Sequence, residues 1–338
     1  MNDILFNQLI VLKKYKEDII YIGTNGAQKK FLASCFIRYY LSCEKDLEFS
    51  IFPIKNIFTS GFKDDLIFAN SFKKANFDID IVINNADVIF RVFIQNYKNP
   101  KNVILKKNKN LNLNTWQYNH LLYLYNFFNP NKTKDEFNVL YRVLNEIYSI
   151  VEMNDNIHLG IPPIFNGVEL FGSSVNTHNI EYCSPFNIEK IFGSLGSFFE
   201  YKFHRSGLYL CNPPFDEKLI EEMSIKLVKD LNETKHKAVV IISIPVWNES
   251  SQKSIDIKNY KMTFKGYDLL INSKYMMEKV ILNKDDYKYW NYSYKKLVPS
   301  SHSHLIILSN HDYANYKKIF SLSNFMNNWK SFSANCAI

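Results

Sequence analysis

Four consecutive residues, Asn212-Pro213-Pro214-Phe215, have the composition of a catalytic turn. They follow an apolar run at 208–211 and precede a helical pattern that Asp216 can cap. Ligands of open α/β sheets bind outside the carboxyl ends of strands, so the turn stands where chemistry is expected. That chemistry is methyl transfer to an exocyclic amine. The lone pair of such an amine, as on adenine, is delocalised into the ring and is a poor nucleophile. The Asn212 side-chain oxygen and the Pro213 carbonyl can hold both N–H groups and stabilise the charge that develops as the nitrogen becomes tetrahedral. The two prolines stiffen the turn and leave a carbonyl unpaired. Phe215 offers a face for a base held out of its helix. The bland alternative is a Pro-Pro turn that closes a strand.

The flanking segments extend the pattern. Glu169 lies in an apolar run at 168–171 and is followed by Phe171, Gly172, Ser173 and Asn176. An acidic residue at a strand end, then a small-residue turn, suits the amine or ribose hydroxyls of S-adenosylmethionine. Gly172 allows close backbone approach. Next come Tyr182-Cys183-Ser184-Pro185-Phe186 and Phe192-Gly193-Ser194-Leu195-Gly196-Ser197-Phe198. Downstream are Ile244-Pro245-Val246-Trp247 and His302-Ser303-His304. Six of the ten Gly and five of the ten Pro fall within 160–214, so this stretch must hold several tight turns.

In order and spacing these segments, over roughly 160–310, resemble the catalytic region of the phosphorylated-CTD-interacting-factor family. The resemblance implies a Rossmann-like methyltransferase sheet, S-adenosylmethionine as donor and no metal. It implies N6-methylation of the 2′-O-methyladenosine next to the cap of mRNA. Asn212, Pro213, Pro214 and Phe215 would be the catalytic set. Glu169, Phe171, Gly172, Ser173, Asn176, Ser194 and Asn212 would hold the donor. Glu217 and Trp247 would lie on the substrate side, where Trp247 suits the cationic methylguanine base. Animal members carry an N-terminal WW domain that binds the polymerase tail. The four Trp here, at 116, 247, 290 and 329, form no such pair, so no polymerase-tail binding is expected. Asn272-Ser273-Lys274-Tyr275-Met276 replaces an acidic, histidine-bearing segment of the family. The competing functions are a DNA adenine N6-methyltransferase and a non-catalytic RNA-binding subunit of a viral-type RNA-processing complex.

Charge points the same way. The chain has 338 residues and a net charge of +8. Residues 88–134 contain no Asp or Glu and carry eight basic residues, among them Lys106, Lys107 and Lys109. Phe90, Phe93, Tyr97, Trp116 and Tyr118 are interleaved with them. Cations beside aromatic faces fit single-stranded nucleic acid; a lysine-rich solvated loop is the alternative. The partners that the resemblance implies are capped RNA and other capping or RNA-processing proteins. A second Tyr-rich stretch at 287–294 fits either RNA contact or a half-buried surface. The longest largely apolar run, 238–247, falls short of the ~20 residues of a membrane span. No secretory signal pattern opens the chain, and five Cys, an odd number, show no metal spacing. The expectation is a reduced cytoplasmic chain, nuclear in the alternative, with no membrane partner.

The elements that must position these residues are coarse but readable. Residues 1–155 read as a mostly helical accessory and RNA-binding region. Helical patterns cover 119–128 and 133–151, the latter with Thr133 and Glu136 as a capping box. Residues 19–26 read as a strand and Gly turn before a helix. Residues 156–312 read as the α/β domain, its strands at 168–171, 208–211, 238–244, 279–282 and 305–308. Fully apolar strands separated by an amphipathic helix predict a mostly parallel sheet. Residues 313–338 read as a tail or final helix.

Overall fold

A computed structural model describes residues 3–42, 58, 61–71, 76–98, 113–151, 159–164, 166–246, 265–292, 296–300 and 302–335. The chain divides into two compact units. The first comprises 1–114, 129–154 and 185–188; the second comprises 115–128, 155–184 and 189–338.

The first unit is helical: α1 (Asp3–Tyr21), α2 (Gly26–Ser42), α3 (Phe62–Ser71), α4 (Ile79–Lys98) and α6 (Lys134–Val151). Leu9, Leu12, Tyr15 and Ile19 recur at helical spacing on α1 and are buried. The Tyr15 ring stacks on Phe93 at 4.5 Å and meets Phe36 edge-on at 5.4 Å. Phe90 and Phe93, expected as stacking faces for nucleic acid, therefore belong to this packing. Ile19–Tyr21 ends a helix instead of forming a strand, because the apolar pattern of α1 runs on to it. The Gly23–Gly26 turn is a cap: Gln28 N donates to Asn25 Oδ1 and Thr24 N donates to Gln28 Oε1. In α6 the capping box forms as expected. Thr133 N donates to Glu136 Oε2 at 3.0 Å and Glu136 N to Thr133 Oγ1 at 3.3 Å. Its stripe Phe137, Leu140, Leu144 and Ile147 is buried.

The second unit is a mixed sheet with helices on both faces. In sheet order its strands are β2 (Val168–Glu169), β3 (Gly207–Cys211), β4 (Ala238–Pro245), β8 (Ser303–Ser309) and β5 (Met276–Leu282). β2, β3 and β4 run parallel, and α7 (Glu217–Glu233) carries the chain from β3 to β4. Every residue of β4 is buried, as two covered faces require. Val240, Ile242 and Ile244 pack with Ile220, Met223 and Leu227 of α7 and with Leu270 of α8 (Lys265–Ile271). Val239 and Ile241 face the other way, onto Tyr316 of α9 (Tyr313–Ile319) and Phe325 and Trp329 of α10 (Leu322–Asn335). The final segment is thus a structural layer and not a tail.

Two expectations need correction. The sheet is mixed, because β8 is antiparallel to both β4 and β5. After β5 the chain returns through two short strands, β6 (Tyr289–Asn291) and β7 (Lys296–Val298), without a crossover helix, so β8 must reverse. β1 (Leu159–Gly160) joins those two strands in a small antiparallel sheet of order β1-β6-β7. The second correction concerns α5 (Thr115–Phe128), which groups with the sheet unit although it lies inside the N-terminal 155 residues. The acid-free stretch 88–134 is accordingly divided between the two units. Of the Tyr-rich stretch, Tyr289 and Tyr292 are buried and Tyr287 and Trp290 half-buried, which is the surface alternative.

Gly193 shows how closely α5 fits. Its φ is +96°, and an added Cβ would collide with the Phe128 ring. Gly193→Ala should lower stability by at least about 2 kcal/mol through left-handed strain and overpacking. Gly26→Ala, where an added Cβ meets nothing, should be close to neutral or stabilising. Thermal unfolding of the two variants checks this; equal midpoints would remove the contact from the packing of α5.

Candidate active site

The carboxyl ends of β2, β3 and β4 bring Glu169, Asn212 and Val246 to one edge of the sheet. Register places Glu169 opposite Leu210, two residues before Asn212, and Leu170 N donates to Leu210 O at 2.7 Å. The turn that follows β3 is tight: Asp216 N donates to the Pro214 carbonyl at 2.8 Å, and Asp216 Oδ1 caps α7 by accepting from Leu219 N. Pro213 is buried, Pro214 exposed, and Phe215 is 36% exposed. The Phe215 ring meets Tyr289 edge-on at 6.2 Å. The Tyr289 hydroxyl is itself held between Ser243 Oγ at 2.6 Å and Ser303 Oγ at 2.8 Å. Phe215 therefore leans on an immobilised ring.

Asn212 carries the decisive detail. Its side chain is buried, and Nδ2 donates to the Leu159 carbonyl at 3.3 Å. Its Oδ1 is buried with no hydrogen-bond partner among the described residues. The bond made by Nδ2 assigns the amide orientation, which a flip would reverse. An unsatisfied buried acceptor costs about 1–3 kcal/mol, so its retention asks for a donor from outside the chain. Among the described residues no backbone N–H is paired with the Pro213 carbonyl either.

Glu169 is also buried. It accepts from Thr177 Oγ1 at 2.6 Å and from Asn179 Nδ2 at 3.4 Å, and among the described residues no cation pairs with it. Burial pushes its carboxyl up to about 7, against the lowering effect of those two donors. The loop after it packs tightly on the chain itself: a Cβ on Gly172 would stand 3.0 Å from Tyr182 Cβ and 3.3 Å from Glu169 Cδ. Phe171 packs on Phe198 at 4.7 Å. Asn176 Oδ1 accepts from Ser173 N and Oγ, which closes the small-residue turn. Ser194 Oγ accepts from Ser184 N and Gly196 N and ties two loops together. Glu217 opens α7. Burial, then Glu221 and Asp216, raise its carboxyl, with Lys265 opposing.

Several residues beside the site carry no motif. Tyr292 is buried, and its phenol is pushed up by burial and then by the Glu169 charge. Trp116 of α5 lies 5.7 Å from Tyr292 and stacks on His120 at 5.1 Å. His178 packs against both Trp116 and Tyr292. Burial lowers the His120 imidazole, and its buried Nε2 has no partner among the described residues. Trp116 is visible in the sequence only as an aromatic within a basic stretch. Lys106, Lys107, Lys109 and Trp247 lie outside the described residues. Cys183 and Cys211 are buried near the site; burial pushes the Cys183 thiol up to about 12, so it is no nucleophile at neutral pH. Among the described residues no group of His, Cys, Asp and Glu could hold a metal ion.

Residues 161–291 match the family model described as the phosphorylated CTD interacting factor 1 WW domain. Over less than half of its length, the chain is thus similar to the phosphorylated-CTD-interacting-factor family. The residues matched to that family run from just after β1 to the end of β6 and include Glu169, the Asn-Pro-Pro-Phe turn and α7. The description speaks of a WW domain and a phosphorylated CTD, against the expectation that tail binding is missing. In this chain the matched residues build the parallel β2-β3-β4 core of the sheet, and their two Trp, at 247 and 290, stand far apart in sequence.

Proposed function

We propose that this chain is an S-adenosylmethionine-dependent N6-adenine methyltransferase acting on the cap-adjacent 2′-O-methyladenosine of capped mRNA. The observation that carries the reading is Asn212 Oδ1, a buried acceptor without a partner among the described residues, at the carboxyl edge of the parallel β2-β3-β4 strands. An amine N–H is the donor that fits it.

The residues present suit the donor molecule. Glu169 is a buried carboxyl that no cation pairs with among the described residues, and Gly172 and the closed Ser173–Asn176 turn follow it directly. When bound, S-adenosylmethionine supplies a methyl group on a cationic sulfur and leaves as a neutral thioether. The chain's own part is electrostatic. As the adenine amine nitrogen forms its bond to the methyl carbon, positive charge appears on that nitrogen. Asn212 Oδ1 and the Pro213 carbonyl accept its two N–H groups and stabilise the charge. One of those protons is then lost to solvent, restoring a neutral amine. Phe215, steadied by Tyr289, stacks on the base. Glu217 and Trp247 are assigned to the substrate side, and Ser194 to the loops that frame the donor.

A methyl-transfer assay on three substrates tests the reading. RNA beginning with a methylguanosine cap and 2′-O-methyladenosine should be methylated far better than the same RNA with a 5′ triphosphate, and duplex DNA should be poorest. Trp247→Ala should erase most of the cap preference and spare basal turnover, since stacking a desolvated cation is worth about 2 kcal/mol. Preference for duplex DNA would favour the DNA-methylating alternative. No transfer to any of the three would leave a non-catalytic RNA-binding subunit. Binding of a phosphorylated polymerase-tail peptide would overturn the expected lack of tail recognition.

The acid-free stretch is assigned to RNA. Replacing Lys106, Lys107 and Lys109 with Glu should weaken RNA binding and flatten its salt dependence. Each lost phosphate contact on a single strand lowers the logarithmic slope by roughly 0.7. Titration at several salt concentrations reads this, and an unchanged slope would mean a solvated loop.

A further inference from the structure

We infer that the small β1–β6–β7 sheet is a positioning device for the Asn212 amide, holding the Leu159 carbonyl so that Nδ2 is bound from behind and only Oδ1 faces the ligand. This rests on the proposed reading that Oδ1 receives an amine N–H.

An asparagine amide has two orientations of nearly equal shape. One offers the ligand an acceptor and the other offers two donors. The first suits an amine edge, as on adenine; the second suits a carbonyl edge, as on hypoxanthine. The choice is made by whatever grips the far end of the amide. Here that grip is the Leu159 carbonyl, 3.3 Å from Nδ2.

Leu159 is held through a short chain of contacts. β1 is only two residues long and pairs with β6, Leu159 opposite Asn291 and Gly160 opposite Trp290. Tyr292 follows β6, and its ring lies directly over Gly160. A Cβ at Gly160 would stand 2.7 Å from Tyr292 Cε2 and 3.3 Å from its hydroxyl. Tyr292 cannot easily retreat, since it is buried with Trp116 at 5.7 Å and His178 at 5.1 Å. Trp290 is packed in turn on Phe332 of α10 at 5.9 Å. Gly160 and Tyr292 touch no reacting atom; they act through Leu159 on Asn212.

The test is a ratio of affinities, measured on the full chain without turnover. The probes are a capped RNA whose first nucleotide is adenosine and the same RNA with inosine there. The wild type should prefer adenosine by about tenfold, because the hypoxanthine oxygen would face Oδ1, acceptor against acceptor. In Gly160→Ala the displaced ring shifts β1, and the ratio should fall toward one. General damage would weaken both RNAs equally and leave the ratio intact. Tyr292→Leu, which removes the ring lying over Gly160 and so frees β1, keeps the test alive if Gly160→Ala does not fold, and its ratio should fall in the same way. A preference that survives either variant in a folded protein overturns the positioning role alone. A wild type without preference overturns the amine reading and this inference with it.

Discussion

Asn212→Ala should lower the rate of methyl transfer about 10²–10³-fold, or roughly 2.7–4 kcal/mol in barrier terms, the range for removal of one preorganised polar contact. The loss should appear in kcat, because Oδ1 gains strength as charge develops on the amine and contributes little before then. Affinity for S-adenosylmethionine should fall far less than the rate, since Asn212 is one of several residues assigned to the donor. The variant should fold, and it removes an unsatisfied buried acceptor, so its thermal midpoint should not fall by the amount expected of a core deletion. Single-turnover kinetics with calorimetry of donor binding would separate these quantities. Near-wild-type turnover on every adenine substrate would remove Asn212 from the chemistry.

Glu169 should make both stability and donor binding depend on pH. Its folded carboxyl stays protonated up to about 7, whereas the unfolded chain loses that proton near the ordinary 4.5. Between those values the folded state binds more protons, so this group's contribution is greatest below 4.5 and is lost as pH rises through 7. The size is about 3 kcal/mol at 1.36 kcal/mol per pH unit. Glu169→Gln should flatten that part of the stability profile. A cationic group on the ligand favours the ionised carboxyl, so donor binding between pH 5 and 7 should release a proton and tighten as pH rises. Glu169→Ala should weaken donor affinity by about 10–100-fold, the value of a hydrogen bond to a charged group. Calorimetry in buffers of different ionisation enthalpy reads the proton directly. Unchanged affinity would take Glu169 off the donor site.

The legible parts of the chain are those where local chemistry alone decides. Thr133 and Glu136 fix the start of α6 through two reciprocal bonds, and Asp216 fixes the start of α7. The Asn-Pro-Pro-Phe turn is readable because prolines end a strand wherever they fall. Strand direction is not local. Residues 305–308 are apolar throughout, and nothing in such a run distinguishes parallel from antiparallel pairing; the connection through β6 and β7 decides it. Periodicity likewise cannot tell which unit a helix serves. α5 is apolar on more than one face, and it is its contacts, Phe128 on Gly193, Gln117 on the Val175 carbonyl, Trp116 on Tyr292 and Tyr125 on Phe192, that tie it to the sheet unit. The same holds at the site. Glu169 and Asn212 stand at strand ends and can be found by position, whereas Leu159 contributes a backbone carbonyl that no residue type announces.

The most direct measurement is the identity of the methylated product. Full-length chain, labelled S-adenosylmethionine and RNA beginning with a methylguanosine cap and 2′-O-methyladenosine would be incubated together, and the RNA digested to nucleosides for mass spectrometry. The label is expected in N6,2′-O-dimethyladenosine from the first nucleotide, and it should vanish in Asn212→Ala. Label on another base or on a ribose oxygen, or none in RNA at all, would contradict the assignment of Asn212 Oδ1 to an adenine amine.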